Sequence, residues 1–447
     1  MDTDSDSEAD ANPEADADSE ADGNTDAETN GAGANAETDG AGDGASTRIL
    51  DGVTVVDLST FVTGGFCSLM LANQGADVVK VERPGTGDDI RHSGPPFVDG
   101  ESPYYWTLNY DKRSVELNLK TEAGKEALYD LVADADVFIQ NYRPGVADRL
   151  GVDYDTLSEK NDRLVYCSIS AYGDSGPWSQ RPGYDLLIQG MSGIMSVTGE
   201  PDPEGRPVKV GLPQTDLITG MWSAFGIVNG LLKRELTGEG EYVELGMLDA
   251  TLPWLTKQAG KVFAGEEPSR MGTKDPVLAP YQTFRTKDGH LNVACLNQKL
   301  WRGFCEAIDR PDLPEDDRFE TNADRVEHMS ELETEVEDAL SAKTTEEWMD
   351  LLVEAGIPAG PVQSVEEALY NEQTEARGVV GEVSDDDGER TIPTIEHPLN
   401  FQGAESGFRS PPPKLGEHTR EVFAEVGYSA ERLDELEAAG AFGDREE

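Results

Sequence analysis

The chain has 447 residues, of which 89 are acidic and 36 are basic, so its formal net charge is −53. Because a polyanion repels a phosphate backbone, this charge argues against nucleic acid and anionic membranes as partners. The length predicts two or three domains. The first 47 residues hold 15 acids and no base, and the other 400 still carry 74 acids against 36 bases. The acidity therefore extends into the part of the chain that we expect to fold.

Lysine is scarce among the basic residues, since 22 of them are arginine and 14 are lysine. An acidic, lysine-poor surface suits a cytoplasm that contains molar salt, where the Debye length falls to about 3 Å and charge repulsion is screened. We therefore expect a cytoplasmic protein of a halophile. The alternative is an acidic protein from an ordinary environment that carries an acidic tail.

The cysteines and the N-terminal residues indicate which kinds of protein this chain does not resemble. The residues Cys67, Cys167, Cys295 and Cys305 are scattered, without a CxxC pair or a histidine cluster, so we expect reduced core thiols and no metal site. The chain contains no apolar run of about 18 residues, and its acidic beginning does not resemble a signal peptide. Residues 1–47 are too polar to offset their ordering entropy, so they are predicted to be a disordered acidic tail.

Strand and helix patterns alternate from residue 48 onward. The short β-branched runs VTVVDLS, ADVVKVERP, SVELNL, DVFIQNY and RLVYCSISAYG predict strands, and the stretches between several of them have helical periodicity. This alternation predicts an α/β fold with a parallel sheet, in a large Rossmann-like domain over residues 48–245. Residues 265–375 are predicted to form a smaller α+β domain that includes a hairpin at Asp288-Gly289. Residues 385–447 are expected to return to the large domain.

The turn after the first strand does not match a dinucleotide-binding motif. It is FVTGGF, whereas that motif needs GxGxxG for a tight turn and a close approach to pyrophosphate. Nicotinamide binding is therefore disfavoured. A helix that begins at this turn still offers free backbone N–H groups to a phosphate.

Basic residues recur at the ends of the predicted strands. In an open α/β sheet these ends line the ligand crevice, so their recurrence in so acidic a chain predicts an anionic, phosphorylated ligand. Each of them taken singly is also compatible with a surface ion pair. The residues are Arg83, Lys112, Arg113, Lys120, Arg143, Arg149 and Arg181.

An aspartate stands at the head of an otherwise uncharged helical run. Asp216 lies in VGLPQTDLITGMWSAFGIV, where it could cap the helix through its carboxylate. A poorly solvated carboxylate at this point could instead act as a nucleophile, and the two roles are compatible. Asp185, in RPGYDLLIQGMSG, is a second candidate with capping as its default role.

Several collinear stretches cover nearly all of residues 48–440: LDGVTVVDLS, GADVVKVERPGTGD, NYDKRSVELNLKTEAGKEAL, NYRPGVADRLGVDY, PGYDLLIQGMSGIMSVTGEPD, GLPQTDLITG, APYQTF and LGEHTREV. Together they resemble the family III CoA-transferases, the group with formyl-CoA, carnitine and succinyl-CoA-dependent enzymes. The resemblance implies an interlocked homodimer and a nucleophilic aspartate at Asp216. It also implies CoA contacts at Val62, Thr63, Arg83, Leu117, Asn118, Leu119, Lys120, Asn141, Tyr142, Arg143, Arg149, Arg181 and Tyr184.

The resemblance further implies the reaction. CoA would move from a donor thioester, with succinyl-CoA expected, to a C4–C5 dicarboxylate such as mesaconate, through a thioester on Asp216. CoA thioesters would be substrates, and no cofactor is expected to be bound permanently. One alternative is an α-methylacyl-CoA racemase, although the Gly-His-Asp motif of those enzymes reads Gly183-Tyr184-Asp185 here. Another alternative is a CoA-binding protein without catalysis.

Overall fold

The computed structural model describes residues 48–442 except 202, 204, 386, 387, 389 and 406. The predicted acidic tail, residues 1–47, lies outside the described residues. The strands are β1 Thr54–Asp57, β2 Asp77–Glu82, β3 Lys112–Glu116, β4 Val137–Gln140, β5 Val165–Ser170, β6 Glu241–Gly246, β7 Tyr281–Arg285, β8 His290–Ala294, β9 Ala359–Pro361, β10 Val380–Ser384 and β11 Thr391–Ile395.

Helices connect and cover these strands. They are α1 Phe61–Asn73, α2 Pro103–Asn109, α3 Glu122–Ala133, α4 Val146–Leu150, α5 Tyr154–Ser158, α6 Asp185–Met191, α7 Ile194–Val197, α8 Gln214–Thr237, α9 Met247–Thr251, α10 Thr256–Phe263, α11 Gln298–Ala307, α12 Asn322–Glu327, α13 Met329–Leu340, α14 Thr345–Glu354, α15 Val365–Leu369, α16 Glu372–Ala376, α17 Thr419–Glu425 and α18 Ala430–Ala438. Short 3₁₀ helices lie at Asp89–His92, Leu252–Leu255 and Leu313–Glu315.

The main sheet confirms the predicted α/β class. Six of the described strands pair in the order β3-β2-β1-β4-β5-β6, and every pair is parallel. The strand order reverses between β1 and β4, so the loops that leave these two strands open a crevice at the carboxyl edge of the sheet. Ligands of open α/β sheets bind in such a crevice, which makes this edge the place to look for a site.

Both faces of the sheet are covered, as a buried parallel sheet requires. Val55 and Val56, adjacent on β1, belong to separate hydrophobic clusters because successive side chains point to opposite faces. The Val56 cluster includes Phe423 of α17 and Leu436 of α18. The chain turns between α17 and α18, where Gly427 has a φ of +101°.

A second core forms between residues 279 and 357. Strands β7, β8 and β9 make an antiparallel sheet, with the predicted turn at Asp288-Gly289 between β7 and β8. Helices α11, α13 and α14 supply buried side chains such as Trp301 and Trp348 to the same cluster. The smaller α+β domain over residues 265–375 remains a prediction.

Helices α1 and α8 pack side by side on the face of the main sheet that includes Val55, and a glycine sets their separation. A Cβ atom on Gly220 of α8 would lie 2.8 Å from the carbonyl oxygen of Thr63 and 3.3 Å from the backbone nitrogen of Cys67, both on α1. A side chain of any size would therefore force the two helices apart. Gly220 lies one turn after Asp216, so this contact brings Asp216 close to the start of α1.

Three other findings bear on the sequence predictions. All four cysteines are buried and unpaired. Among the described residues, no cluster of three or more His, Cys, Asp or Glu side chains is arranged to hold a metal ion. In the same part of the chain, no helix has both the length and the apolar composition needed to cross a membrane.

Candidate active site

The loop between β1 and α1 is fixed by hydrogen bonds at the point where the strand order reverses. The side chain of Asn141, just after β4, accepts from the backbone nitrogen of Thr60 at 2.9 Å and donates to its carbonyl oxygen at 2.7 Å. Asn141 is one of the predicted CoA contacts. It acts here as a two-sided clamp on the loop that leads into α1.

A buried ion pair also fixes the loop between β1 and α1. The Nζ atom of Lys80 lies 2.9 Å from Asp88 Oδ2 and donates to the carbonyl oxygen of Ser59 at 3.1 Å. The other oxygen of Asp88 accepts from the backbone nitrogen of Phe61 at 3.0 Å. Phe61 has a φ of +61°, a conformation that non-glycine residues adopt only when the surrounding structure fixes it. Lys80 and Asp88 could not be singled out from the sequence, because an ion pair between residues eight apart leaves no periodic signal.

Asp216 lies in the first turn of α8, and its Oδ1 accepts a hydrogen bond from the Thr63 hydroxyl in the first turn of α1. Thr63 was predicted from the family resemblance as a CoA contact. The structure joins it directly to the predicted nucleophile. Two helix N-termini therefore meet at this carboxylate, and their dipoles favour its anionic form.

Burial raises the pKa of Asp216 to about 6. The hydrogen bond from Thr63 lowers this pKa, and the negative charge of Asp185 raises it. On α2, burial and then the charges of Asp216 and Asp185 raise the pKa of the Tyr104 phenol, which marks Tyr104 as an unpredicted neighbour of the site. A carboxylate with these surroundings is ionised at neutral pH but poorly solvated, as a nucleophile requires.

The capping role considered for Asp216 belongs to Asp185 instead. The backbone nitrogen of Thr215, in the first turn of α8, donates to Asp185 Oδ1 at 2.9 Å, and the Thr215 hydroxyl donates to the same atom at 2.8 Å. Asp216 makes no side-chain cap in α8, whose N-cap residue is Pro213. The expectation that Asp185 caps the helix after it is wrong, because α6 has no side-chain cap and the carboxylate of Asp185 bonds the first turn of α8.

A cleft of about 640 Å³ opens at the carboxyl ends of β1, β2 and β3, beside this loop. Six of the predicted CoA contacts line it: Arg83, Leu117, Asn118, Leu119, Lys120 and Tyr142. The Nη2 atom of Arg83 donates to the carbonyl oxygen of Gly87 at 3.0 Å and lies 2.5 Å from Asp89 Oδ1. The lining thus contains the cations Arg83 and Lys120 together with the acids Glu82, Asp88 and Asp89.

The other predicted contacts lie in different surroundings. Arg143 lines a neighbouring cleft of about 400 Å³, which shares Tyr142 with the first. The Val62 side chain is buried in a hydrophobic cluster, so only its backbone is available to a ligand. Arg181 stacks over the Trp178 ring at 4.9 Å. The predicted contacts Arg149, Arg181 and Tyr184 line neither of these two clefts.

Comparison with known proteins decides the family. Residues 50–419 match the model of CoA-transferase family III. The chain belongs to that family. It is therefore a CoA-transferase, and CoA thioesters are its substrates.

Individual relatives agree with this assignment. The chain is 35% identical over 406 residues to succinyl-CoA:glutarate CoA-transferase of Mus musculus, covering 90% of this chain and 92% of that protein. It is 36% identical over 388 residues to succinyl-CoA:mesaconate CoA-transferase of Haloarcula marismortui, covering 85% and 96%. A crystal structure of a CAIB/BAIF family protein from Brucella suis superposes with a TM-score of 0.78 at 37% identity, covering 86% and 100%.

The raised pKa of Asp216 predicts a stability gain in the Asp216→Asn variant. The folded protein keeps this proton up to about pH 6, whereas the unfolded chain releases it near the ordinary value of 3.8. The ionised carboxylate therefore destabilises the fold above pH 6, and this penalty declines as the pH falls toward 4. We expect Asp216→Asn to raise the free energy of unfolding by about 1–3 kcal/mol at pH 7.5, and by less at pH 4.5.

Thermal unfolding of both proteins at the two pH values measures this difference. An equal melting temperature at pH 7.5, or a gain that is larger at pH 4.5, would contradict the raised pKa of Asp216.

Proposed function

We propose that the protein transfers CoA from succinyl-CoA to a C4–C5 dicarboxylate through a thioester on Asp216. The observation that carries this proposal is the Asp216 carboxylate, which is partly buried and bonded to Thr63, three residues after the cleft-lining residue Thr60. Relatives named for succinyl-CoA paired with glutarate and mesaconate support the donor and the acceptor class.

The reaction balances as two pairs of substitutions. The Asp216 carboxylate attacks the thioester carbonyl of succinyl-CoA and expels CoA thiolate, which leaves a mixed anhydride. The thiolate attacks the aspartyl carbonyl, forms the Asp216-CoA thioester and releases succinate. The acceptor carboxylate then attacks this thioester, and the thiolate returns to the acceptor carbonyl to leave the new acyl-CoA and free Asp216. Each intermediate keeps the thioester energy, so no nucleotide is consumed.

Each residue of the site has a role in this proposal. Thr63 orients the carboxylate of Asp216 through its hydroxyl. Arg83 and Lys120 would face the phosphates of CoA at the cleft, where an ammonium and a guanidinium suit anionic oxygens. Holding the nucleotide end of CoA keeps the expelled thiolate beside the anhydride, so that water does not compete for it.

The racemase alternative has less support. Its acid–base chemistry needs a histidine where this chain has Tyr184, and the following Asp185 is occupied by Thr215 and Gln189. Exchange of the α-hydrogen of an acyl-CoA for solvent deuterium, without any acceptor acid, would favour the racemase.

Oxygen tracing tests the proposed pathway. With mesaconate labelled with ¹⁸O in its carboxylates and unlabelled succinyl-CoA, we expect ¹⁸O in the released succinate. The acceptor leaves one oxygen on Asp216, and the next succinyl group takes an oxygen from that carboxylate. Mass spectrometry of the succinate gives the result. Glutarate, malate and oxalate are compared as acceptors, in buffers with and without molar KCl.

Succinate without ¹⁸O during active transfer would contradict a carboxylate intermediate. The Asp216→Asn variant is the control, and we expect its transfer rate to fall at least about 10⁴-fold, as when a nucleophile is removed.

We also propose that the protein is a homodimer. Helix α8 is 24 residues long, and its side away from the sheet exposes large apolar side chains. The exposed fractions are 61% for Phe225, 59% for Leu232 and 79% for Leu236. A contiguous apolar face of this kind in an acidic chain favours burial against another subunit.

The double variant Phe225→Glu/Leu232→Glu tests the dimer. We expect light scattering to give the mass of two chains for the wild type and of one chain for the variant, because two buried carboxylates disfavour the interface. The control is Val353→Glu, a residue of α14 that is 65% exposed, and it should leave the mass unchanged. A wild-type protein with the mass of one chain would refute the proposed dimer.

A further inference from the structure

Asp185 makes more contacts than a cap needs. Besides the backbone nitrogen and hydroxyl of Thr215, it accepts from the side chain of Gln189, whose Nε2 lies 2.7 Å from Asp185 Oδ2. Both oxygens of the carboxylate are therefore in use. The carboxylate joins the first turn of α6 to the first turn of α8, thirty residues later in the chain.

Gln189 extends this contact along the segment that leads into α8. It is fully buried, its Nε2 also lies 3.2 Å from the carbonyl oxygen of Leu212, and its Oε1 accepts from the backbone nitrogen of Val210 at 2.8 Å. Asp185 and Gln189 thus hold the segment 210–215 at both of its ends. The orientation of the Gln189 amide follows from this arrangement, because only its NH₂ group can donate to Asp185 and Leu212.

We propose that Asp185 is a positioning residue for the reaction of Asp216: it satisfies the N-terminus of α8, so that the neighbouring carboxylate is left free to react. This inference rests on the proposed function. If Asp216 itself bonded the free N–H groups of α8, one of its oxygens would be directed at the helix and not toward a substrate.

The charge of Asp185 adds a second effect. Three elements face the carboxylate of Asp216: α1 through the Thr63 hydroxyl, α2 through the Tyr104 phenol, and α6 through Asp185. Of these groups Asp185 is the carboxylate, and its charge adds to the effect of burial in raising the pKa of Asp216. A more basic carboxylate is a stronger nucleophile toward a thioester carbonyl.

The Asp185→Asn variant separates this role from a purely structural one. We measure kcat and the pH profile of kcat/KM for succinyl-CoA with mesaconate between pH 4.5 and 8. We expect kcat to fall about tenfold or more, and the midpoint of the acid limb to move to lower pH by about 0.5 or more. The phosphates of CoA titrate alike in both assays, so a difference between the two profiles belongs to the enzyme.

Thr215→Val is the matched control, because it removes one hydrogen bond to Asp185 and keeps the charge. We expect its kcat to fall by a few-fold, with the midpoint of the acid limb unchanged. An unchanged kcat and an unchanged midpoint in Asp185→Asn would overturn the inference. An equal shift of the midpoint in Thr215→Val would also overturn it.

A third variant covers the case in which Asp185→Asn does not fold, as judged by circular dichroism. Asp185→Glu keeps the charge and displaces the carboxylate from Thr215. We expect a lower kcat with the wild-type midpoint, and a wild-type kcat would overturn the inference. Absence of transfer by the wild type would instead refute the proposed function, so the two failures are distinguishable.

Discussion

The close contact between α1 and α8 is the constraint on which the site depends. Gly220 lets the two helices approach until a Cβ atom would meet the backbone of α1 at 2.8 Å. At that separation the first turns of both helices converge, and Thr63 reaches the carboxylate of Asp216. The clamp of Asn141 on Thr60 fixes the same end of α1 relative to the sheet. The proposed nucleophile and its hydrogen-bond partner are therefore positioned by one helix pair.

Charged side chains are arranged differently at the described surface and beneath the β1–α1 loop. The described surface is rich in carboxylates, yet below the β1–α1 loop the Lys80–Asp88 pair is fully buried. Removing one partner of such a pair costs several kcal/mol, because it leaves the other charge buried and unpaired. The pair therefore holds the loop in one conformation. That conformation includes Phe61 at a positive φ, with its backbone nitrogen held by Asp88. The strain of the loop and the buried pair are thus parts of one arrangement.

Local patterns predicted much of the fold. The β-branched runs at Thr54–Asp57 and Asp77–Glu82 became adjacent parallel strands, because short apolar segments between helices have few other ways to be buried. Arg83 and Lys120 follow parallel strands, so their meeting at one edge could be inferred before the structure was known. Helix α2 was missed, because a short helix lacks a strong periodic signal.

The role of Asp216 could not be decided from the residues around it. A helix cap and a nucleophile can have the same sequence neighbourhood, and the difference arises from Asp185, which lies 31 positions earlier. Only the fold shows that Asp185 bonds the first turn of α8 and that Thr63 is the partner of Asp216. The family resemblance implies that Asp216 is the nucleophile, and the geometry is a physical reason that supports this proposal.

Peptide mapping of the quenched enzyme tests this assignment most directly. The protein is mixed with succinyl-CoA without any acceptor acid, quenched in acid, digested and analysed by mass spectrometry. We predict that the peptide containing Asp216 gains the mass of CoA less one water, since a thioester forms as succinate leaves. CoA found on another residue, or on none while the enzyme is active, would contradict the central role of Asp216.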